Sequence, residues 1–232
     1  MGLARLEPGA VGGAAAAAEH GAGCSDARRC GRLIDAAEQS KRPEYARAIL
    51  VAATTGIRRA ELCAIRRRRD IDWERGLLTV TASIVVLKDV PLQEIPTKNR
   101  RGRTIALDEL TLSMLRAQVD LLEQRAVIAR AELAPDAYVF SDDIEGAVPW
   151  NPDAVSQYFG RLRRRAGLPH IGFHYLRKFM ETYGQEMGYS MSQVAMRAGH
   201  DPSVAARHYS GRVEETDRDL TNAVASLLAP ES

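Results

Sequence analysis

Five places along the 232-residue chain set cations, imidazoles and a phenol at spacings that suit phosphate chemistry. In Thr55-Gly56-Ile57-Arg58-Arg59-Ala60-Glu61-Leu62, Arg58 is expected one residue beyond the start of a helix. A guanidinium holds phosphate through a planar fork, and a helix N-terminus adds favourable partial charge. Glu61 can pair with Arg58 three residues earlier; taken alone, the octapeptide does not rise above a surface ion pair worth under about 1 kcal/mol. Pro96-Thr97-Lys98-Asn99-Arg100-Arg101-Gly102-Arg103 reads as a hairpin tip. From such a tip Lys98 can deliver a proton or a positive charge, although polar turns are common on any surface. His174-Tyr175-Leu176-Arg177 puts His174 and Arg177 on one helical face, with Phe173 and Leu176 packing the other side. Gly199-His200 follows a helix that the glycine can close in a left-handed conformation. Tyr209 comes nine residues after His200, between His208 and Ser210 and on no apolar stripe. A tyrosine serves as a covalent nucleophile when nearby cations stabilise its phenolate or the transferring phosphoryl group.

The elements that must position these residues follow from periodicity and from turn residues. Ala27 to Ala37 carries apolar positions at helical spacing. Pro43 opens a second helix over Glu44 to Thr55, whose apolar run Ala48 to Ala53 marks it as buried, and Gly56 closes it. A third helix is expected from Ile57 to about Arg66. Leu77 to Ala82, Ser83 to Lys88 and Arg103 to Leu107 read as strands of one small antiparallel sheet. Glu109 to Glu132 follows as a long amphipathic helix, then a short extended piece at Tyr138 to Phe140. Asn151 and Pro152 start another helix that Gly167 ends, and everything after His174 reads as helical with breaks at Gly188, Gly199 and Pro202. The expected fold is mainly α with a small antiparallel β-sheet. Gly9 to Gly23 is low-complexity Gly/Ala sequence, so residues 1–23 read as a flexible leader and 24–232 as one ordered domain with a helical tail.

Composition narrows the class. With 45% hydrophobic and 27% charged residues the chain can bury a core. It has no apolar run of the roughly 18 residues a membrane span requires, so a soluble, cytoplasmic protein is expected, with no membrane partner. Cys24, Cys30 and Cys63 are odd in number and lack paired CxxC spacing, which argues against a disulfide framework and a zinc site. Lys and Arg number 32 against 30 acids, but the charge is unevenly spread. Arg58 to Arg103 holds 12 basic residues and 6 acids, and Arg161 to Arg212 holds 9 and 3. Glu109 to Glu145 holds 3 and 8, and Val213 to Ser232 holds 1 and 5. If the two basic segments meet, they form a positive face suited to a polyanion, nucleic acid being the usual one. Arg161, Arg163, Arg164 and Arg165 fit phosphate or solvent contact.

The order T-G-I-R-R-A-E-L, P-T-K-N-R-R-G-R-T-I-A-L, H-Y-L-R-K and A-G-H-D-P-S, followed by Tyr209, resembles the catalytic domain of tyrosine recombinases, the phage-integrase family. The resemblance covers about Ser25 to Leu228, and the joint order of its motifs is far more specific than any one of them. It implies that Arg58 and Arg177 clamp the scissile phosphate, with His200 as a third phosphate-binding group. Lys98 would protonate the leaving 5′ oxygen, His174 would assist proton transfer, Tyr209 would be the nucleophile, and Glu61 would support. It further implies a 3′-phosphotyrosine intermediate on double-stranded DNA, no metal or other cofactor, and homo-oligomers (dimers or tetramers) on DNA. Lys178 and His208 depart from the residues common in the family at those positions.

Only 57 residues precede Arg58, too few for the helical core-binding domain usual in the family, so a catalytic domain alone is expected, a truncated integrase with an intact site. Two rivals remain at this level: a non-catalytic DNA-binding module, and a type IB topoisomerase. The segment from Val213 to Leu228 carries Leu220, Val224, Leu227 and Leu228 at helical spacing. By the resemblance it would dock on a neighbouring subunit, and by periodicity it would equally pack on its own domain.

Overall fold

The computed structural model describes residues 22–97, 102–168, 170–199 and 213–228. Eight helices and five short strands are formed by these residues. Chain order begins with α1 (Ala22–Glu38), α2 (Glu44–Thr55) and α3 (Arg59–Cys63). The strands follow: β1 (Ile71–Asp72), β2 (Leu77–Val80), β3 (Ala82–Val85), β4 (Gln93–Pro96) and β5 (Arg103–Ala106). Then come α4 (Glu109–Ala129), α5 (Pro152–Arg165), α6 (His174–Glu186), α7 (Met191–Ala198) and α8 (Val213–Leu228). The fold is mainly α with small antiparallel sheets, as the sequence leads one to expect.

Helix α2 is the axis of the domain. Its apolar residues point in all directions, and α1, α4, α6 and α8 pack around it. Ala48, Ile49, Val51, Ala52 and Ala53 are wholly buried. Helices apolar on every side are stable only in such surroundings. Two threonines at its C-terminal end hide their hydroxyls in hydrogen bonds: Thr54 Oγ1 donates to Leu50 O (3.0 Å) and accepts from Thr111 Oγ1 (2.8 Å). Gly56 then adopts a left-handed φ of 66° and terminates the helix; beyond it Ile57 stays in the core and Arg58 turns outward.

Several expectations are corrected. The first helix starts at Ala22, earlier than Ala27. The third helix is one short turn, because Arg58 is extended (φ −73°, ψ 149°) and the chain leaves helix after Cys63 to form a bridge between Arg66 and Tyr138. Arg58 thus caps the helix from outside. The single expected sheet is two: β1-β2-β5 and β3-β4. Only Thr81 separates β2 from β3, and β5 pairs with the first (Val80 with Arg103) while β4 pairs with the second (Ala82 with Pro96). The chain between β4 and β5 therefore leaves from one pairing and returns to another.

Asn151 and Gly199 bound helices as the sequence leads one to expect, and Asp108, Ser190 and Gln193 add caps it did not disclose. Asn151 Oδ1 accepts from Asp153 N (2.8 Å) at the start of α5, and Asp108 Oδ1 accepts from Thr111 N (2.8 Å) at the start of α4. Ser190 and Gln193 form a reciprocal capping box on α7, which ends at Gly199 (φ 72°). Helix α8 packs on its own domain, burying Leu220, Val224 and Leu228 and donating from Thr221 Oγ1 to Ala106 O (2.9 Å). Cys30 and Cys63 are buried, and burial pushes Cys63 up to about 12. No helix of the described residues is long and apolar enough to cross a membrane.

Candidate active site

Three parts of the chain converge at the C-terminal end of α2: the Gly56–Glu61 turn, the first residue of β5, and the facing ends of α6 and α7. Arg58 comes from the first, Arg103 from the second and Arg177 from the third. Arg58 and Arg103 meet at the carboxylate of Glu61, 4% exposed. It accepts the backbone N–H of Arg58 (2.9 Å) and Arg58 Nη1 (3.0 Å). It also accepts a two-pronged pair from Arg103, Nη1 to Oε1 at 3.0 Å and Nη2 to Oε2 at 2.7 Å. Burial pushes the Glu61 carboxyl up, but the Arg103 bonds and charge, with the Arg58 contacts, outweigh it and hold the group below the ordinary carboxylate range.

The two arginines of the proposed clamp differ in setting. The Arg58 side chain is 45% exposed, and Nη2 donates to Gly199 O (3.1 Å). Arg177 is almost wholly buried. Its Nη1 donates to Gly56 O (3.1 Å) and to Ala198 O, and its Nε pairs with Glu181 (2.9 Å) one turn on. Burial first, and after it the positive charge of Arg58, lower Arg177 to about 10. A buried cation beside another cation is a site short of negative charge. An incoming phosphate would relieve that shortage.

His174 is the first residue of α6, exposed, one turn before Arg177. Lys98, His200 and Tyr209 lie outside the described residues. Lys98 falls between β4 and β5, and His200 immediately follows Gly199. Sequence reasoning gave no role to Arg103 or Arg197, and it gave Gly199 only that of closing a helix, which it does. Arg197 is buried, donating from Nη2 to Thr54 O (2.9 Å) and from Nη1 to Ala106 O (3.2 Å), so it fastens α7 to the end of α2 and to β5. The sequence signals for Arg103 were its place in the P-T-K-N-R-R-G-R-T-I-A-L motif and at the head of an apolar strand, Arg103–Ala106.

The basic segments do meet, since Arg58 and Arg103 both bond to the end of α7. The first segment is divided, however. Arg66 and Arg69 both pair with Glu94, Arg69 also with Asp70, and Arg67 with Glu123. These cations are matched by acids on the sheet and on α4, and a count along the chain overstates the positive face. Arg163 Nη1 likewise donates to Ile171 O, and Arg161 stacks on Tyr158 (4.8 Å). Among the described residues no group of His, Cys, Asp and Glu is placed to hold a metal ion.

Known proteins resemble the chain in sequence and in fold. A XerC-like tyrosine recombinase of Caldanaerobacter subterraneus subsp. tengcongensis is 25% identical over 191 residues, covering 77% of this chain and 47% of that protein. The chain spans about half the length of the curated relatives it matches. Among solved structures, the fold is similar to the Tn1549 transposon integrase in complex with a circular intermediate DNA (TM-score 0.59, 18% identity, 82% of this chain and 62% of that one). It is similar also to XerA recombinase (TM-score 0.56, 18% identity, 88% and 64%). The family model described as the phage integrase family matches residues 26–215, a span holding all six residues of the expected site, and the chain belongs to that family.

Proposed function

We propose that this chain carries the DNA-cleaving and rejoining site of a tyrosine-type site-specific recombinase. The observation that carries the reading is the pairing of Arg58 and Arg177 at one carbonyl-lined corner, with family membership around it. In the proposed reaction the Tyr209 phenol oxygen attacks the scissile phosphorus. An O–P bond forms to the tyrosine, the bond to the 5′ oxygen breaks, and the 3′ end stays on the protein. His174 takes up the phenol proton and Lys98 gives a proton to the leaving 5′ oxygen. Arg58, Arg177 and His200 offset the charge that grows on the non-bridging oxygens. The free 5′-hydroxyl of a partner strand then attacks the phosphotyrosine and releases the enzyme. The bond energy is conserved in the ester, so the cycle needs no nucleotide triphosphate.

Double-stranded DNA is the proposed substrate, with the chain acting in homo-oligomers on it. The Tn1549 integrase, whose structure holds DNA, supports the choice of substrate through its shared fold. Incubating the protein with duplexes nicked near the cleavage point, beside Tyr209→Phe, tests the reading. A denaturing gel should show a protein–DNA adduct that Tyr209→Phe lacks. Salt-sensitive binding with no adduct would instead leave a DNA-binding module. Relaxation of supercoils without a partner site would favour a topoisomerase.

A further inference from the structure

The end of α7 shows a pattern that the clamp alone does not explain. A helix leaves its last carbonyls without partners inside the helix, and they carry the negative end of its dipole. Here three successive carbonyls each accept from a different arginine. Arg103 Nε donates to Arg197 O (3.0 Å), Arg177 Nη1 to Ala198 O, and Arg58 Nη2 to Gly199 O (3.1 Å). Two of these arginines are the proposed clamp. The third, Arg103, is 15% exposed and places the rest of its guanidinium on both oxygens of Glu61.

We propose that Arg103 is a positioning residue of the phosphate site: it fixes Glu61, through Glu61 the guanidinium of Arg58, and ties both to the C-terminal turn of α7. The inference rests on the recombinase reading of the site. Arg58 is held by Glu61 Oε1 and Gly199 O, and Arg103 bonds to Glu61 and to the same turn of α7, so the four groups close a ring. Removing Arg103 opens that ring opposite Arg58 and unties its two anchors, Glu61 and the α7 turn, from each other. Charge points the same way. With Arg103 absent, the Glu61 carboxylate would answer Arg58 alone and draw its charge away from a phosphate. With Arg103 present, the carboxylate is shared and Arg58 keeps charge for the substrate.

Space at the ring is fully used. A Cβ on Gly199 would stand 2.6 Å from Arg103 Nη1 and 2.8 Å from its Cδ, so glycine is required there for the guanidinium to lie under the turn. Arg103 is also the first residue of β5, five positions after Lys98. The strand that follows the proposed proton donor is thereby locked to the arginine that would bind the phosphate. A lysine cannot do this, because a point charge cannot span two carboxylate oxygens and a carbonyl at once.

The test uses Arg103→Gln and Arg103→Lys in the whole chain, with two readouts. In the free protein, nitrogen-15 spectra of the Arg58 guanidinium should show slowed rotation in the wild type and averaging in both variants. Unchanged Arg58 signals would overturn the proposal whether or not the protein cleaves DNA. At saturating nicked duplex, adduct formation should slow by about 10- to 100-fold in Arg103→Gln, with DNA affinity within about threefold of wild type. Arg103→Lys should recover a minor part of that rate. Equal rates in variant and wild type would also overturn it. If Arg103→Gln does not fold, Arg103→Lys keeps the charge and decides by the same two readouts. A wild type that forms no adduct would sink the recombinase reading alone, and the spectra would still judge Arg103.

Discussion

Replacing Glu61 with Gln is the sharpest probe of how the site is held. The side chain keeps its size and loses its charge. One carboxylate oxygen that accepts from Arg103 Nη2 (2.7 Å) and the Arg58 backbone N–H (2.9 Å) becomes an NH2 group facing donors. Arg103 is 15% exposed and Glu61 4%, so this half of the network is nearly dry, and breaking such a pair costs about 3–5 kcal/mol. The Arg58 half adds little, because its side chain is 45% exposed and screened by water. The lower end, about 3 kcal/mol, is therefore expected, which for a domain of this size is a fall in Tm of about 6–12 °C. The pH dependence gives a second handle. The folded-state carboxyl is held below its ordinary range, so its stabilisation is complete above the unfolded value of about 4.3 and is lost as pH falls through the folded value. Urea titrations at neutral and acid pH should show wild type and Glu61→Gln converging in acid, where Glu61 is protonated in both states. A neutral-pH difference under about 1 kcal/mol, or a difference independent of pH, would refute the account of the network.

Two other outcomes follow from the packing. Gly199→Ala should cost well over the roughly 1–2 kcal/mol of a left-handed alanine, because its Cβ meets Arg103, whereas Gly188→Ala (φ 88°, nothing within 4 Å) should cost only that backbone amount; equal losses by urea unfolding would contradict this. Leu220→Ala should destabilise by about 3 kcal/mol, since Leu220 fills the space beside Gly184, and the loss should not vary with protein concentration. A concentration-dependent loss would mean that α8 packs on a second copy.

What the sequence disclosed, and what it hid, divides along the range of the interactions. Pro43 and Gly56 bounded α2, and Asn151-Pro152 opened α5, because capping chemistry lies within a few residues of each end. The turn after Arg58 was misread as a longer helix because the pull on Arg66 comes from Tyr138 and Asp136, some seventy positions away. Strand β4 was missed because Gln93, Glu94, Ile95 and Pro96 show no apolar alternation, and pairing with β3 alone makes it a strand. Arg58, Glu61 and Arg177 were legible as candidates through their motifs. Arg103 was not, since its partners Glu61 and Arg197 stand 42 and 94 positions away. Net charge along a segment hid the pairing: Arg66 and Arg69 share Glu94 within the segment, and Arg67 is matched by Glu123, which lies outside it.

The central claim is that Arg58 acts on the phosphate as it is attacked. Its exposed side chain makes Arg58→Gln a variant that should fold. Single-turnover adduct formation on nicked duplex, at DNA concentrations that saturate both proteins, separates chemistry from binding. Loss of about 10²- to 10³-fold in rate is expected, the scale of removing one donor to developing charge, with the folded state intact by thermal melting. An adduct that forms at the wild-type rate in Arg58→Gln would contradict the account.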